Sequence, residues 1–408
     1  MPRMVIVDPA HRCGVGHHDS VNRALLRELP ARGWPAELWA DVALEAEAGA
    51  PQPLQGVFSG CGYEDPRLWR DLHGQQQLAQ RVAQQLRLAV EATAAEPVAA
   101  WLGHSLLPFQ LLGLARHLAQ AAPARVLISP MFAPGETLEG GAADPQAISN
   151  CRVALAALAR AVREQGHRLS LAFPSRQQQR RYQPLLDATG LVSAGLHPAV
   201  VGAGQAAADA ASGKAQVLLH WGDLKQGKGR REALAVLEAL LQGGTPPALR
   251  GWRWLFHHHS REALSSEELH LLEHAAAADL KLHRLEGAVP ETQMQRELAA
   301  CPVALLAYGA ERYAERSSGI LWQWAASRRA VGQGGRAVGY GQGWLAQEAK
   351  ALELPWQAPA GEGGDAWLAA LADAAAAPVP PRGGGEYARV ILDQSFAAWC
   401  AAQLDASG

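Results

Sequence analysis

The 408-residue chain is poor in cysteine and in lysine, and it has no long apolar run. Its five cysteines, Cys13, Cys61, Cys151, Cys301 and Cys400, are scattered and odd in number, with no C-x-x-C pair. That pattern argues against a disulfide scaffold and predicts reduced thiols in a cytoplasmic protein. The N-terminus, MPRMVIVDPA, lacks the apolar h-region of a signal peptide. No stretch approaches eighteen uninterrupted apolar residues, so no membrane span is expected. Peripheral contact with the inner face of a membrane stays compatible with these features. An excess of positive charge is also missing. The formal net charge is −2 and the pI about 6.7, which excludes nucleic-acid binding by bulk charge. A full dinucleotide fingerprint is absent too. Gly14 and Gly16 supply G-x-G, but the third glycine position holds Asp19. An NAD-dependent oxidoreductase is therefore disfavoured.

What is present is apolar bulk. Hydrophobic residues make up 49% and charged residues 19%, enough for a sizeable core in two or three domains. Arginine far outnumbers lysine, which we read as genome composition. Thirteen tryptophans stand beside only six Phe and six Tyr. Most of them are expected in the core, and an indole face could also stack on a pyranose ring.

Strand and helix patterns alternate along the whole chain, which predicts an α/β protein built on parallel sheets. Met4 to Asp8 reads as a first strand, followed by a glycine-bearing loop and a helix from Val21 to Arg32. Strands are expected near 34–39, 97–103, 125–130 and 169–173. Helices are expected over 71–94, from Pro108, over 147–165 and after Ser175. Residues 42–63 read as an irregular excursion. The glycine-rich loop 131–146 is a candidate lid for acceptor recognition. Arg176, Arg180 and Arg181 either hold an anionic acceptor or solvate a helix face. His17 and His18 either reach substrate from the first loop or cap and solvate that turn. His104 follows a strand directly, at the carboxyl end where α/β sheets place chemistry, or it caps the next helix.

Near 197–212 the composition shifts to Gly, Ala and Pro, and a second α/β domain begins with a strand at Ala215 to His220. Later strands are expected at 252–256 and 280–285, and helices from Arg230, over 264–274 and after Pro290. The triple histidine at 257–259 invites a metal reading. Adjacent strand residues point to opposite faces, so it makes no ready metal site. In Pro302 to Val331 a short apolar strand leads through Tyr308, Tyr313, Glu315 and Arg316 to a helix capped by Ser317 or Ser318. Gly319 leaves room for close approach to the backbone, and the helix start suits a phosphate. Ile320, Leu321, Trp324 and Ala325 would form its packed face. Arg329 to Val331 would begin the next strand, and a final helix is expected over 386–404.

Glu315 and Gln323, eight positions apart, resemble the donor-site signature of retaining glycosyltransferases with the GT-B fold. There the pattern is Glu, seven residues, Glu; here the second position is Gln, which can still hydrogen-bond a ribose hydroxyl. HWGDLKQGKGRREAL is similar to the segment that opens the donor domain in that family, with a phosphate-binding Lys aligned to Lys228. The family's Arg after the first glycine is here Asp223, and Lys225 could substitute.

The resemblance implies two Rossmann-like domains facing a cleft. An acceptor-side domain would span 1–205, a nucleotide-sugar domain 213–385, and a helix over 386–408 would pack back on the first domain. It implies sugar transfer from a nucleotide sugar, UDP- or GDP-linked, to a glycan, lipid-linked or protein acceptor, with retention of configuration. Glu315, His104 and Lys228 would be catalytic. Gly16, His17, Lys225, Lys228, Val289, Ser317, Ser318, Gly319 and Gln323 would bind the donor, with Gly287, Ala288 and Val289 receiving the base. No cofactor and no metal are implied, because cationic side chains and a helix dipole would stabilise the leaving group. Asp223 and Gln323 favour an alternative: a non-catalytic GT-B-like partner subunit that binds a nucleotide sugar or glycan.

Overall fold

The computed structural model describes the chain except residues 1–2, 15, 48, 63–70, 94–96, 138–141, 201–213, 226, 261–262, 279, 310, 315 and 407–408. The expected linker at 197–212 therefore falls largely outside the described residues, as does part of the candidate lid. Two compact units emerge, one from 1–201 with 394–408 and one from 202–393.

The first unit is a seven-stranded parallel sheet in the order β3-β2-β1-β4-β5-β6-β7. Its strands are β1 (Arg3–Asp8), β2 (Ala36–Asp41), β3 (Leu54–Phe58), β4 (Val98–His104), β5 (Arg125–Ser129), β6 (Arg168–Phe173) and β7 (Ser193–Leu196). Side chains alternate across a strand, so one apolar run serves two cores. Met4 and Ile6 join one core with helix α1 (Gly16–Glu28). Val5 and Val7 join the other with α3 (Leu72–Ala92), α4 (Pro108–Leu118) and α5 (Pro145–Gln165). A further helix, α6 (Arg176–Thr189), connects β6 to β7.

The supposed irregular excursion contains α2 (Val42–Glu45) and edge strand β3. β3 is mostly half-buried, so its sequence lacks the apolar run of the inner strands. α1 starts at Gly16, not Val21. His17 and His18 therefore lie on the helix, which puts His18 one turn before Asn22.

The second unit is a six-stranded parallel sheet in the order β10-β9-β8-β11-β12-β13. Its strands are β8 (Gln216–His220), β9 (Arg253–His258), β10 (Leu282–Glu286), β11 (Val303–Leu305), β12 (Arg336–Val338) and β13 (Trp356–Gln357). Its helices include α7 (Arg230–Gly243), α8 (Ser266–Ala277), α9 (Glu291–Ala299), α10 (Gly319–Ala330), α11 (Trp344–Ala351) and α12 (Gly364–Ala376). Residues 329–330, expected to open a strand, instead end α10, and β12 begins only at Arg336. α10 is also buried on nearly all sides, including Trp322 and Arg328, not on one face. Trp39, Trp101, Trp254, Trp322, Trp324 and Trp344 are fully buried, as core residues.

In both sheets the order reverses once, between β1 and β4 and between β8 and β11. Such switch points leave a crevice at the strands' carboxyl ends, where neighbouring crossovers depart in opposite directions.

The single C-terminal helix expected over 386–404 is two helices, α13 (Glu386–Leu392) and α14 (Phe396–Asp405). α13 stays with the second unit. Arg329 donates to Asp393 from Nε (2.8 Å) and Nη2 (2.7 Å), and Arg382 adds a third contact. α14 belongs to the first unit, capped by Ser395, which also donates to Glu28 Oε2 at 2.9 Å. Phe396, Cys400 and Leu404 complete the core beside α1. Asp393→Ala strands the buried Arg329 guanidinium and should cost about 3 kcal/mol. Arg382→Ala, at a half-exposed side chain, should cost less than about 1 kcal/mol. Denaturant unfolding of the two variants reads the difference, and equal small losses would contradict the assigned roles.

Candidate functional site at the switch points

In the first unit, the carboxyl ends of β1 and β4 bring together residues from five sequence positions. Asp8 ends β1, His11 follows it, His18 and Asn22 come from α1, and His104 ends β4. His18 Nδ1 donates to the Asp8 carboxylate at 2.8 Å. Asn22 Nδ2 donates to Asp8 Oδ2 at 2.7 Å and to His11 Nδ1 at 2.9 Å. Its Oδ1 accepts from His104 Nε2 at 2.7 Å, and His104 Nδ1 accepts from the Ser105 hydroxyl at 3.2 Å. One buried amide thus sets the orientation and tautomer of His104. Ser105 adopts a left-handed backbone (φ 58°), an uncommon state for a non-glycine residue.

The electrostatics follow from this wiring. Burial alone would raise the Asp8 carboxyl, but the charge and hydrogen bond of His18, with His104 and His11, hold it well below 3.8. Burial alone would lower His18, but Asp8 wins and raises it above 6.5. His104 is pushed down to about 4, by burial first and then by His18 and His11, against the pull of Asp8. Asp8 thus favours the charged form of the half-buried His18, beside a neutral His104. His17 stands exposed at the rim, its ring 6.3 Å from that of His104.

Among the described residues, Asp8, His18 and His104 are the one trio whose ligating atoms converge, all within 4.8 Å. The donor set fits a metal poorly. Asp8 already accepts from His18 and Asn22, and His104 Nε2 carries its proton toward Asn22. The triple histidine of the second unit is likewise engaged. His257 Nε2 donates to Gly287 O at 2.8 Å, its Nδ1 accepts from Gly222 N at 3.2 Å, and His258 Nε2 accepts from Arg284 at 3.1 Å. His257 thereby ties the turn after β8 to the turn after β10, which carries the half-buried Val289.

The second switch point gathers most of the remaining expected residues. After β8 the chain turns through Gly222, Gly227 and Gly229 into α7. Gly222 is left-handed (φ 105°), and a Cβ there would sit 3.2 Å from Lys228 Nζ. The ammonium therefore lies against bare backbone, at a left-handed position that favours glycine. Gly309 N donates to Gly227 O at 2.8 Å, which joins this turn to the loop after β11. Further along that loop Tyr313 N donates to Gly309 O at 2.9 Å. Ser318 caps α10, its Oγ accepting from Leu321 N. The Lys228 turn is thus tied to the loop after β11, which runs on to Ser318 and the exposed Gly319, where the first N–H groups of α10 lack helical partners. Burial lowers the Lys228 pKa, opposed by Asp223 and assisted by Lys225. Gln323 is half-buried one turn into α10, and Ser317 is half-buried before its cap.

Lys225, a candidate phosphate ligand, is exposed and sits 2.8 Å from Asp223 in a surface ion pair. Glu315 lies outside the described residues. Gly16 and His17 belong to the first unit. Arg176 and Arg180 are exposed on α6. Asp8, His11 and Asn22 were not foreseen. The signal was a lone acid closing an apolar strand, with Asn22 one turn after His18 on a helix that starts earlier than expected.

The ion pair makes a pH prediction. The His18 part of its stability is complete below pH 6.5 and is lost as pH rises through the raised folded value. The Asp8 part is complete above pH 3.8 and is lost as pH falls through the depressed folded value. The pair is therefore most stabilising between 3.8 and 6.5. In Asp8→Asn the carboxylate that raises His18 is gone while burial remains, so its pKa should fall in an NMR titration of the imidazole; an unchanged pKa would exclude the coupling.

No family model matches the chain, and no curated protein matches it by sequence. Solved structures do match its fold. The N-terminal domain of Candida albicans trehalose-6-phosphate phosphatase aligns with TM-score 0.60 at 10% identity, covering 99% of this chain and 97% of that one. A UDP-forming alpha,alpha-trehalose-phosphate synthase from Burkholderia xenovorans, in complex with glucose-6-phosphate, gives 0.59 at 12%, covering 98% and 96%. An E. coli trehalose-6-phosphate structure bound with UDP-2-fluoro glucose gives 0.55 at 14%, covering 99% and 96%. At such identities the likeness speaks for architecture, and with two parallel α/β sheets it shows that the chain has the GT-B fold.

Proposed function

We propose that this protein transfers a sugar from a nucleotide-sugar donor to an acceptor, with retention of configuration. The observation that carries the reading is the Lys228 ammonium, half-buried against Gly222, on a turn tied to the loop that leads into α10. Such a pairing suits a diphosphate, whose negative charge grows as the glycosidic bond breaks. Lys228, Ser318 and Gly319 hold the diphosphate in this reading. Glu315 takes the sugar hydroxyls, Gln323 the ribose, and the turn at Val289 the base. His104, kept neutral chiefly by burial and oriented by Asn22, contacts the transferring sugar or the acceptor from the first unit, with Gly16 and His17 at that unit's rim. The cation and helix dipole serve the leaving group, so the reading asks for no cofactor or metal.

The ligands in the Burkholderia xenovorans and E. coli structures support a UDP sugar as donor and a phosphorylated sugar among glycan acceptors. Scattered, unpaired cysteines support a cytoplasmic setting. No described helix is long and apolar enough to cross a membrane.

One observation favours the non-catalytic binding subunit instead. Asp223 places a carboxylate beside the proposed phosphate-binding turn, paired with Lys225 at 2.8 Å. Turnover separates the two readings. With UDP-glucose and sugar-phosphate acceptors the enzyme reading expects product, lost in Glu315→Ala; donor binding without turnover under any acceptor supports the subunit.

Ligand binding to the native state raises the melting temperature, by about 2.7 kcal/mol of stabilisation at a hundredfold excess over Kd. In a panel of UDP, GDP, ADP and dTDP, at least one should shift the wild type. Lys228→Ala should abolish that shift. Gly222→Ala should abolish it too, through backbone strain and displacement of the ammonium. A shift retained in both variants would refute the proposed phosphate site.

A further inference from the structure

The first unit carries a second concavity, at the opposite end of its sheet. α4 has 11 residues, while its neighbours α3 and α5 have 21 each. At about 1.5 Å per residue, α4 stops roughly 15 Å short of their full length. Beyond its end lies a cavity of about 620 Å³, walled by α3 and α5 and floored by the start of β4. That volume falls within the range of small-molecule sites. The cavity touches Val98 at the first residue of β4, whereas His104 is the last. The two ends of this strand are about 20 Å apart. The cavity is therefore separate from the switch-point site.

Its lining is lopsided in charge. Arg87 comes from α3, Arg116 from α4 and Arg160 from α5, against one carboxylate, Glu91. Arg87 and Arg160 are exposed and make no ion pair or hydrogen bond among the described residues. Arg116 is braced by Gln76, donating to its carbonyl at 3.1 Å and to its side-chain amide. On the floor, Trp101 meets His117 edge to face at 5.0 Å. The buried His117 Nε2 has no hydrogen-bond partner among the described residues. Unpaired guanidiniums from separate helices, converging on a concavity, suit an oxyanion with several acceptor oxygens. The aromatic floor suits an organic body.

We propose that this cavity binds a small phosphorylated organic molecule, held by Arg87 and Arg160 with Arg116 behind them, as a site independent of the donor and acceptor sites. Calorimetric titration with 3-phosphoglycerate and with inorganic pyrophosphate tests it in wild type, in Lys228→Ala, and in Arg87→Ala/Arg160→Ala. Both arginines are exposed, so the double variant keeps its fold. Wild type and Lys228→Ala should bind 3-phosphoglycerate alike, and the double variant about tenfold or more weakly. Binding of pyrophosphate but not 3-phosphoglycerate would reduce the site to a bare anion patch and overturn the organic ligand. Equal affinity in the double variant, or no binding of either probe up to about 10 mM, would overturn the site itself. Loss of binding in Lys228→Ala would assign the event to the donor site.

Discussion

A parallel sheet covered on both faces has no free surface for chemistry except at the ends of its strands. That constraint governs both units. β1 runs buried from Met4 to Asp8, and β8 from Gln216 to His220. Neither can expose a functional group along its length, so each delivers one at its carboxyl end. The reversal of strand order then decides which two ends lie side by side. In the first sheet they are β1 and β4, which pair Asp8 with His104; in the second they are β8 and β11, which pair the Lys228 turn with the loop leading to Ser318.

The two sites solve different electrostatic problems. In the first unit a carboxylate is buried, which is tolerable only when its oxygens are paired. His18 and Asn22 meet that need, and the pairing has consequences for His104. Asn22, committed as acceptor, orients His104, and burial, helped by His18 and His11, keeps it neutral near pH 7. In the second unit the problem is a lysine that must stay available. Gly222 brings it close to the backbone without a competing side chain, while Lys225 neutralises Asp223. An ammonium with burial lowering its pKa favours an anionic partner, which the start of α10 favours too.

The chain's final stretch shows how a short polar break divides one apparent helix between two cores. Asp393 is claimed by Arg329 and Arg382 in the second unit, and Ser395 caps the next helix in the first. Between them the helical register cannot continue.

Much of this was legible in the residues alone. Apolar runs of four to six residues located the inner strands, because burial on both faces demands near-continuous hydrophobicity. Ser318, Gly319, Lys228 and Gly229 could be placed on strand–turn–helix junctions, since capping and glycine turns are local chemistry. Short edge strands β3, β7 and β13 were not legible, because half-buried strands carry no apolar run. Nor was the partnership of Asp8, His11, Asn22 and His104. Those residues span 97 positions, and only the crossover that sets β4 beside β1 brings them within hydrogen-bonding distance. The sequence by itself determined the repeating α/β layers and the local phosphate-ready turns; the tertiary structure alone decided which strand ends meet, and so which charges must answer one another.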